Sequence, residues 1–286
     1  MSTVQPTEAQ VLNALGQSGF LFEQEIASAL EEKGFHVETS WPFLDQETKK
    51  SREIDLRATK NVLHDVDSSL QVFVELLVEC KDSDAPLIFL ERQKNTRELA
   101  PPDPKEYLFP RRMYKEVLSE KAYREVPAFK RLKLAPSHYY FSETMKATQF
   151  AKVVRKGNDW VANHDGIYDA LFLPLAKALD ARVAKLPRYD NTTQGWRAIW
   201  LLFPIVVLRD HLMTLTFSGD QKTLSKKGRV TFVRHMDSET LKGDYMVDFV
   251  THPHLAEYID NEVLKFAGSV SELGQTSPAL LRGFED

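Results

Sequence analysis

Val72-Phe73-Val74-Glu75-Leu76-Leu77-Val78-Glu79-Cys80-Lys81 is the most apolar strand-like run in the chain. Its β-branched and aromatic side chains suit a pleated, buried surface. Side chains on a strand alternate sides with period 2, so Glu79 and Lys81 share one face and Cys80 takes the other. A carboxylate and an ammonium side by side can serve a divalent cation and a phosphate at one place.

Upstream, Glu53, Asp55 and Arg57 alternate with Ile54, Leu56 and Ala58, which predicts a half-buried strand paired as a hairpin with 70–80. Residues 8–17 and 20–33 read as helices. The second carries Phe22, Ile26, Ala29 and Leu30 on one stripe, with Gly34 as its stop. Phe35–Trp41 reads as a strand, and Pro42 as the start of a polar loop through Lys50.

The Pro-rich stretch Ala100–Pro104 opens what reads as a mainly helical insertion over 100–195, including a helix over 163–185. Four further strands are expected at Trp196–Leu208, Leu212–Phe217, Arg229–His235 and Tyr245–Val250, with Gly219-Asp220 as a hairpin turn. A helix over 254–266 follows, and the tail from Gly268 is weakly specified. Together these elements predict an α/β fold with a mixed central sheet flanked by helices. Its core would be built from about 18–99 and 196–266.

The length of 286 residues suits one large domain or two small ones. No apolar run is long enough to span a membrane, and the first residues lack a secretory pattern. Cys80 is the sole cysteine, which excludes an internal disulfide and suggests a reducing cytoplasm. A net charge of -4 argues against binding nucleic acid by bulk electrostatics. One local patch runs the other way. Arg111, Arg112, Lys115, Lys121, Arg124, Lys130, Arg131 and Lys133 outnumber Glu116, Glu120 and Glu125, with Tyr114, Tyr123 and Phe129 interleaved. That mixture suits phosphates and bases, although a solvated, salt-bridged helix has the same composition.

Phosphodiester hydrolysis needs an in-line water, neutralised phosphoryl oxygens and help for the leaving oxygen. Asp55 and Glu79 on neighbouring strands are suitable magnesium ligands, and the Cys80 carbonyl is a further oxygen. Lys81 can position or deprotonate water and offset charge. Glu23 on the preceding helix could serve a second ion or a metal-bound water.

Gly19-Phe20-Leu21-Phe22-Glu23, continuing through Ile26-Ala27 and Leu30 to Gly34-Phe35-His36-Val37, resembles the opening helix and first strand of Mrr-like and related PD-(D/E)xK nucleases. The helix glutamate of that superfamily matches Glu23, its aspartate matches Asp55 (preceded here by Ile54 rather than proline), and its E-x-K matches Glu79 and Lys81. The resemblance implies a restriction-endonuclease-like core in a single nuclease-like domain. It also implies catalytic use of Glu23, Asp55, Glu79 and Lys81, with magnesium replaceable by manganese. DNA is the implied substrate, cut internally, in bacterial anti-phage defence or repair, by a homodimer or a subunit of a larger assembly. The alternative is an inactive relative that keeps the fold for binding or assembly.

The other candidates read as structural. Cys80 reads as a small buried hydrophobe, His252-Pro253-His254 as a proline-broken loop, and His164-Asp165-Gly166 as a turn. Trp160, Trp196 and Trp200 read as core or interface anchors.

Overall fold

Two helices, α1 (Glu8–Gln17) and α2 (Phe20–Glu32), lead into an antiparallel meander of β1 (His36–Leu44), β2 (Ser51–Asp65) and β3 (Leu70–Lys81) in the computed structural model, which describes residues 5–96, 98–99, 104–186 and 196–277. A capping box between Thr7 and Gln10 starts α1. Gly34 ends the second helix with a φ of 79°, a left-handed conformation that glycine adopts without a Cβ clash.

Next come β4 (Leu87–Gln93), β5 (Tyr107–Leu108), the hairpin β6 (Met113–Ser119) and β7 (Ala122–Pro127), and the short helices α3 (Ala128–Arg131) and α4 (Tyr139–Ser142). They are followed by β8 (Met145–Lys156), β9 (Asp159–Asn163), α5 (Ile167–Leu171) and α6 (Leu173–Lys185). The chain continues through β10 (Arg197–Leu208), β11 (Leu212–Ser218), β12 (Gln221–Lys226), β13 (Arg229–Asp237) and β14 (Lys242–Thr251) to α7 (His252–Tyr258) and α8 (Lys265–Thr276). A π-helical turn at Ile259–Leu264 joins the last two helices.

Most strands form one mixed sheet in the order β1-β2-β3-β10-β14-β13-β8-β4-β11-β12, with β5 on β10 and β9 on β8. The expected α/β class, a large mixed sheet flanked by helices, is what the chain forms. At its centre β3, β10 and β14 run parallel, from Arg197 opposite Leu70 to Leu208 opposite Lys81. One register pair, Phe232 with Ala147, joins β13 to β8 and so links the two halves of the sheet.

Helices cover both faces of β3 and β10, which explains why both strands are apolar almost throughout rather than alternating. Phe22, Ile26 and Leu30 of α2, with Phe266 and Val270 of α8, pack against Val74, Leu76 and Val78. Leu175 and Leu179 of α6 share the opposite cluster with Leu77, Leu202 and Val206. Truncating a fully buried leucine such as Leu30 to alanine is worth about 2–5 kcal/mol.

The structure departs from the sequence reading in several places. Pro42 does not open a loop; it lies within β1 opposite Glu53. An edge strand tolerates a residue with no N–H to donate. The insertion expected to be mainly helical is mixed over its described part, contributing β5 to β9 as well as α3 to α6; residues 100–103 and 187–195 lie outside the described residues. The helix expected over 163–185 is broken into α5 and α6 at Phe172, just before Pro174. His252-Pro253-His254 is the first turn of α7 rather than a loop, with proline at a position whose N–H has no helical partner. The helix expected to close at 266 continues to Thr276. β4 was not expected as a strand, while the hairpin turn expected at Gly219-Asp220 joins β11 to β12.

Candidate active site

The carboxyl ends of β3 and β10 face a cleft of about 410 Å³ lined by Gly19, Glu23, Asp55, Cys80, Lys81, Asp82, Leu208 and Asp210. Lys152 of β8 and Ile167, Ala170 and Leu171 of α5 stand across from them. Carboxyl ends of parallel strands are where open α/β sheets place ligands.

Regular β2–β3 pairing ends at Leu56 and Val78, one step before Asp55. Beyond that point the Asp55 side chain takes over the role of a ladder carbonyl: its carboxylate accepts the Cys80 N–H at 2.6 Å. Glu79 is 5% exposed, and its carboxylate accepts a hydrogen bond from Lys81 Nζ at 2.8 Å. The apolar residues of β3 and the neighbouring strands bury these polar ends, while alternation puts both Glu79 and Lys81 on the face opposite Cys80.

The electrostatics tie the four predicted residues together. Burial pushes the Glu79 carboxyl up to about 7, with Lys81 opposing the shift and Asp55 and Glu23 adding to it. Glu23 is raised by burial, then by Asp55, with Lys81 opposing. Burial works against the Lys81 ammonium, yet Glu79 and Asp55 hold it above the ordinary lysine range. Glu23 and Glu79 therefore hold their protons more readily than free carboxyls despite the Lys81 ammonium, and a divalent cation would favour their charged forms.

The donor chemistry fits magnesium. Among the described residues no three acidic, histidine or cysteine side chains stand gathered as a ready-made cage. Magnesium asks for less, since one or two carboxylates suffice when water and phosphate oxygens fill the remaining positions.

Cys80 is buried, as expected, and burial pushes its thiol far up, which leaves it unreactive. Two neighbours not singled out in the sequence shape the site. Arg209 forks onto Asp82 with two bonds of 2.9 Å, reaches Glu25 of α2 at 2.6 Å and lies 4.2 Å over the Phe22 ring. It thereby clamps α2 to the ends of β3 and β10 and helps hold Glu23 at the cleft. The signal was present in Arg209-Asp210, a charged pair directly after the apolar run of β10. Lys152, inside a strand that was not predicted, carried no such signal.

The eight basic residues do not line the cleft. They lie on the β6–β7 hairpin and its foot, where only Lys130 and Arg131 are helical, in the single turn of α3, rather than along one continuous helix. On the hairpin each cation has an acidic neighbour: Arg124 meets Glu116 at 2.5 Å, Lys115 pairs in register with Glu125, and Lys121 follows Glu120. The excess positive charge sits at the foot, on Arg111, Arg112, Lys130, Arg131 and Lys133. Tyr114 and Phe129 turn inward, and Tyr123 is 59% exposed. Of the tryptophans, Trp200 stacks on Phe73 at 4.4 Å, while Trp160 is exposed rather than an anchor in the core.

Compared with known protein families, curated proteins and solved structures, the chain matches none.

Proposed function

We propose that this chain is a magnesium-dependent nuclease of the PD-(D/E)xK type, hydrolysing phosphodiester bonds of DNA in the cleft at the end of β3. The supporting observation is that Glu23, Asp55 and Lys81, spread over nearly sixty residues of sequence, line one cleft, with the buried Glu79 bonded to Lys81 behind it and the acidities of Glu23, Glu79 and Lys81 all shifted upward. Clusters of this kind mark functional sites more often than structural ones.

Asp55 and Glu79 would hold the metal, with the Cys80 carbonyl as a further oxygen. Bound there, magnesium would supply charge neutralisation on the phosphoryl oxygens and make a coordinated water more acidic. Lys81, kept protonated by Glu79 and Asp55, acts as a cation: it donates to a phosphoryl oxygen and offsets charge as the water oxygen bonds to phosphorus. Glu23, partly exposed and raised above its usual range, takes the proton released by that water. The bond from phosphorus to the sugar oxygen breaks opposite the attack, and the departing sugar oxygen takes a proton from solvent water to leave as a hydroxyl. The basic foot of the β6–β7 hairpin contributes phosphate contacts outside the cleft.

The test is cleavage of plasmid and linear DNA by the purified chain with magnesium or manganese, beside Asp55→Ala and Lys81→Ala. Metal-dependent cutting by the wild type alone is expected. A wild type inert on DNA and RNA with either metal, or variants that cut equally well, would overturn the reading.

A further inference from the structure

The far wall of the cleft has no part in the chemistry above, and its composition bears on what can enter. Leu87, Ile167, Ala170 and Leu171 give it an apolar surface, and Lys152 is the one cation of the cleft besides Lys81 among the described lining residues. The outside of a duplex presents phosphates and sugars, to which an aliphatic wall offers no hydrogen bond. The face of an unstacked base is apolar and covers such a wall well. Size points the same way: about 410 Å³ lies toward the lower end of small-ligand pockets, which run from about 300 to 1,000 Å³. That space suits one nucleotide and its phosphate rather than two paired strands. The Glu79 side chain, 7% exposed, is recessed and bonded to Lys81, which lines the cleft, so a phosphate reaching that ammonium brings its own sugar and base into the cleft.

We infer that the cleft takes an unpaired nucleotide of DNA, its base against the α5 wall and its phosphate between Lys81 and Lys152, so that the substrate is single-stranded, frayed or flapped DNA rather than intact duplex. This rests on the nuclease reading for the cut, though not for the binding. Enzymes whose target lies out of reach within a duplex act on single strands or extrude a nucleotide into a pocket.

The experiment uses the full chain and three labelled DNA oligonucleotides of one sequence: single-stranded, fully duplex, and duplex with a single-stranded flap. Binding is read by fluorescence anisotropy with Asp55→Asn, and cleavage with the wild type and magnesium. Single-stranded and flapped DNA should bind at least about fivefold tighter than duplex, the scale of one base contact. Cleavage should follow that order. An abasic position scanned along the single strand should reveal one site where affinity falls by a similar factor. Ala170→Asp, an exposed position on α5 that the fold tolerates, should erase the preference, and Lys152→Ala should weaken binding to all three.

Duplex bound and cut within twofold of single strand, with no abasic effect, would overturn the inference and leave the nuclease reading standing. A persistent single-strand preference and abasic effect without any cleavage would do the reverse.

Discussion

Asp55 accepts the Cys80 N–H at 2.6 Å across the open end of the β2–β3 ladder. This bond places a carboxylate beside the buried Glu79 and ties the site to the backbone that also carries Lys81. The same group that finishes the sheet is thus the one proposed to hold metal.

Asp55→Asn keeps an oxygen that can accept the same N–H and removes the charge. Folding should stay within about 1 kcal/mol of wild type, the net worth of one hydrogen bond. The cleavage rate should fall by about a hundredfold or more, the scale of one lost electrostatic group in an active site. Calorimetry and initial rates on the same preparation check both halves, and equal losses in Asp55→Asn and wild type under chelator would locate the effect at the metal.

Glu79, lifted to about 7 by burial, binds its proton more tightly in the folded chain than in the unfolded one, where the ordinary value is 4.5. Between those values the folded state carries the extra proton, so this group's contribution to stability falls as pH rises through the window. Glu79→Gln removes the titration. Its urea midpoint relative to wild type should therefore improve between about pH 5 and about pH 8. Magnesium should raise the wild-type melting temperature at the higher pH and leave the variant unmoved; a constant difference at both pH values would speak against a buried, titrating carboxyl.

Glu75 is fully buried on the β3 face toward α6, accepting bonds of 2.6 and 2.9 Å from the Arg182 fork and 3.0 Å from Arg57. Glu75→Ala leaves two guanidinium groups facing one another with no anion between them. A loss of about 3–5 kcal/mol is expected in denaturant unfolding, the cost of breaking a buried ion pair from one side.

Arg209→Lys keeps the charge but loses the two-pronged grip on Asp82 and the planar stack on Phe22. With α2 less firmly seated, Glu23 is positioned less well. The catalytic rate should drop several-fold, roughly 1 kcal/mol in barrier, while magnesium affinity measured by calorimetry stays near wild type. A change in metal affinity as large as that in rate would mean that Arg209 supports Asp55 and Glu79 directly.

Replacing Lys130, Arg131 and Lys133 with alanine should flatten the salt dependence of DNA binding, by up to about 0.9 in log–log slope per lost phosphate contact. Lys115→Ala and Arg124→Ala should change it little, because glutamates already answer those charges on the hairpin. Anisotropy titrations across a salt series separate the two sets.

Local chemistry made much of this protein readable in one dimension. The run through Val72–Val78 could only be a buried strand, period 2 put Glu79 and Lys81 on one face with Cys80 behind, and the stripe on α2 named its buried side. Those features depend on neighbours a few residues away, so the chain itself carries them. The β6–β7 hairpin escaped because it buries only Tyr114 and Val126 along its strands, leaving no apolar alternation to betray it. Folding alone decided that β10 lies parallel beside β3, that Arg209 bridges to α2, and that Lys152 and α5 close the cleft across from the carboxylates. Those contacts join residues up to nearly two hundred positions apart, and no periodicity encodes which surfaces meet once the sheet buries both its faces.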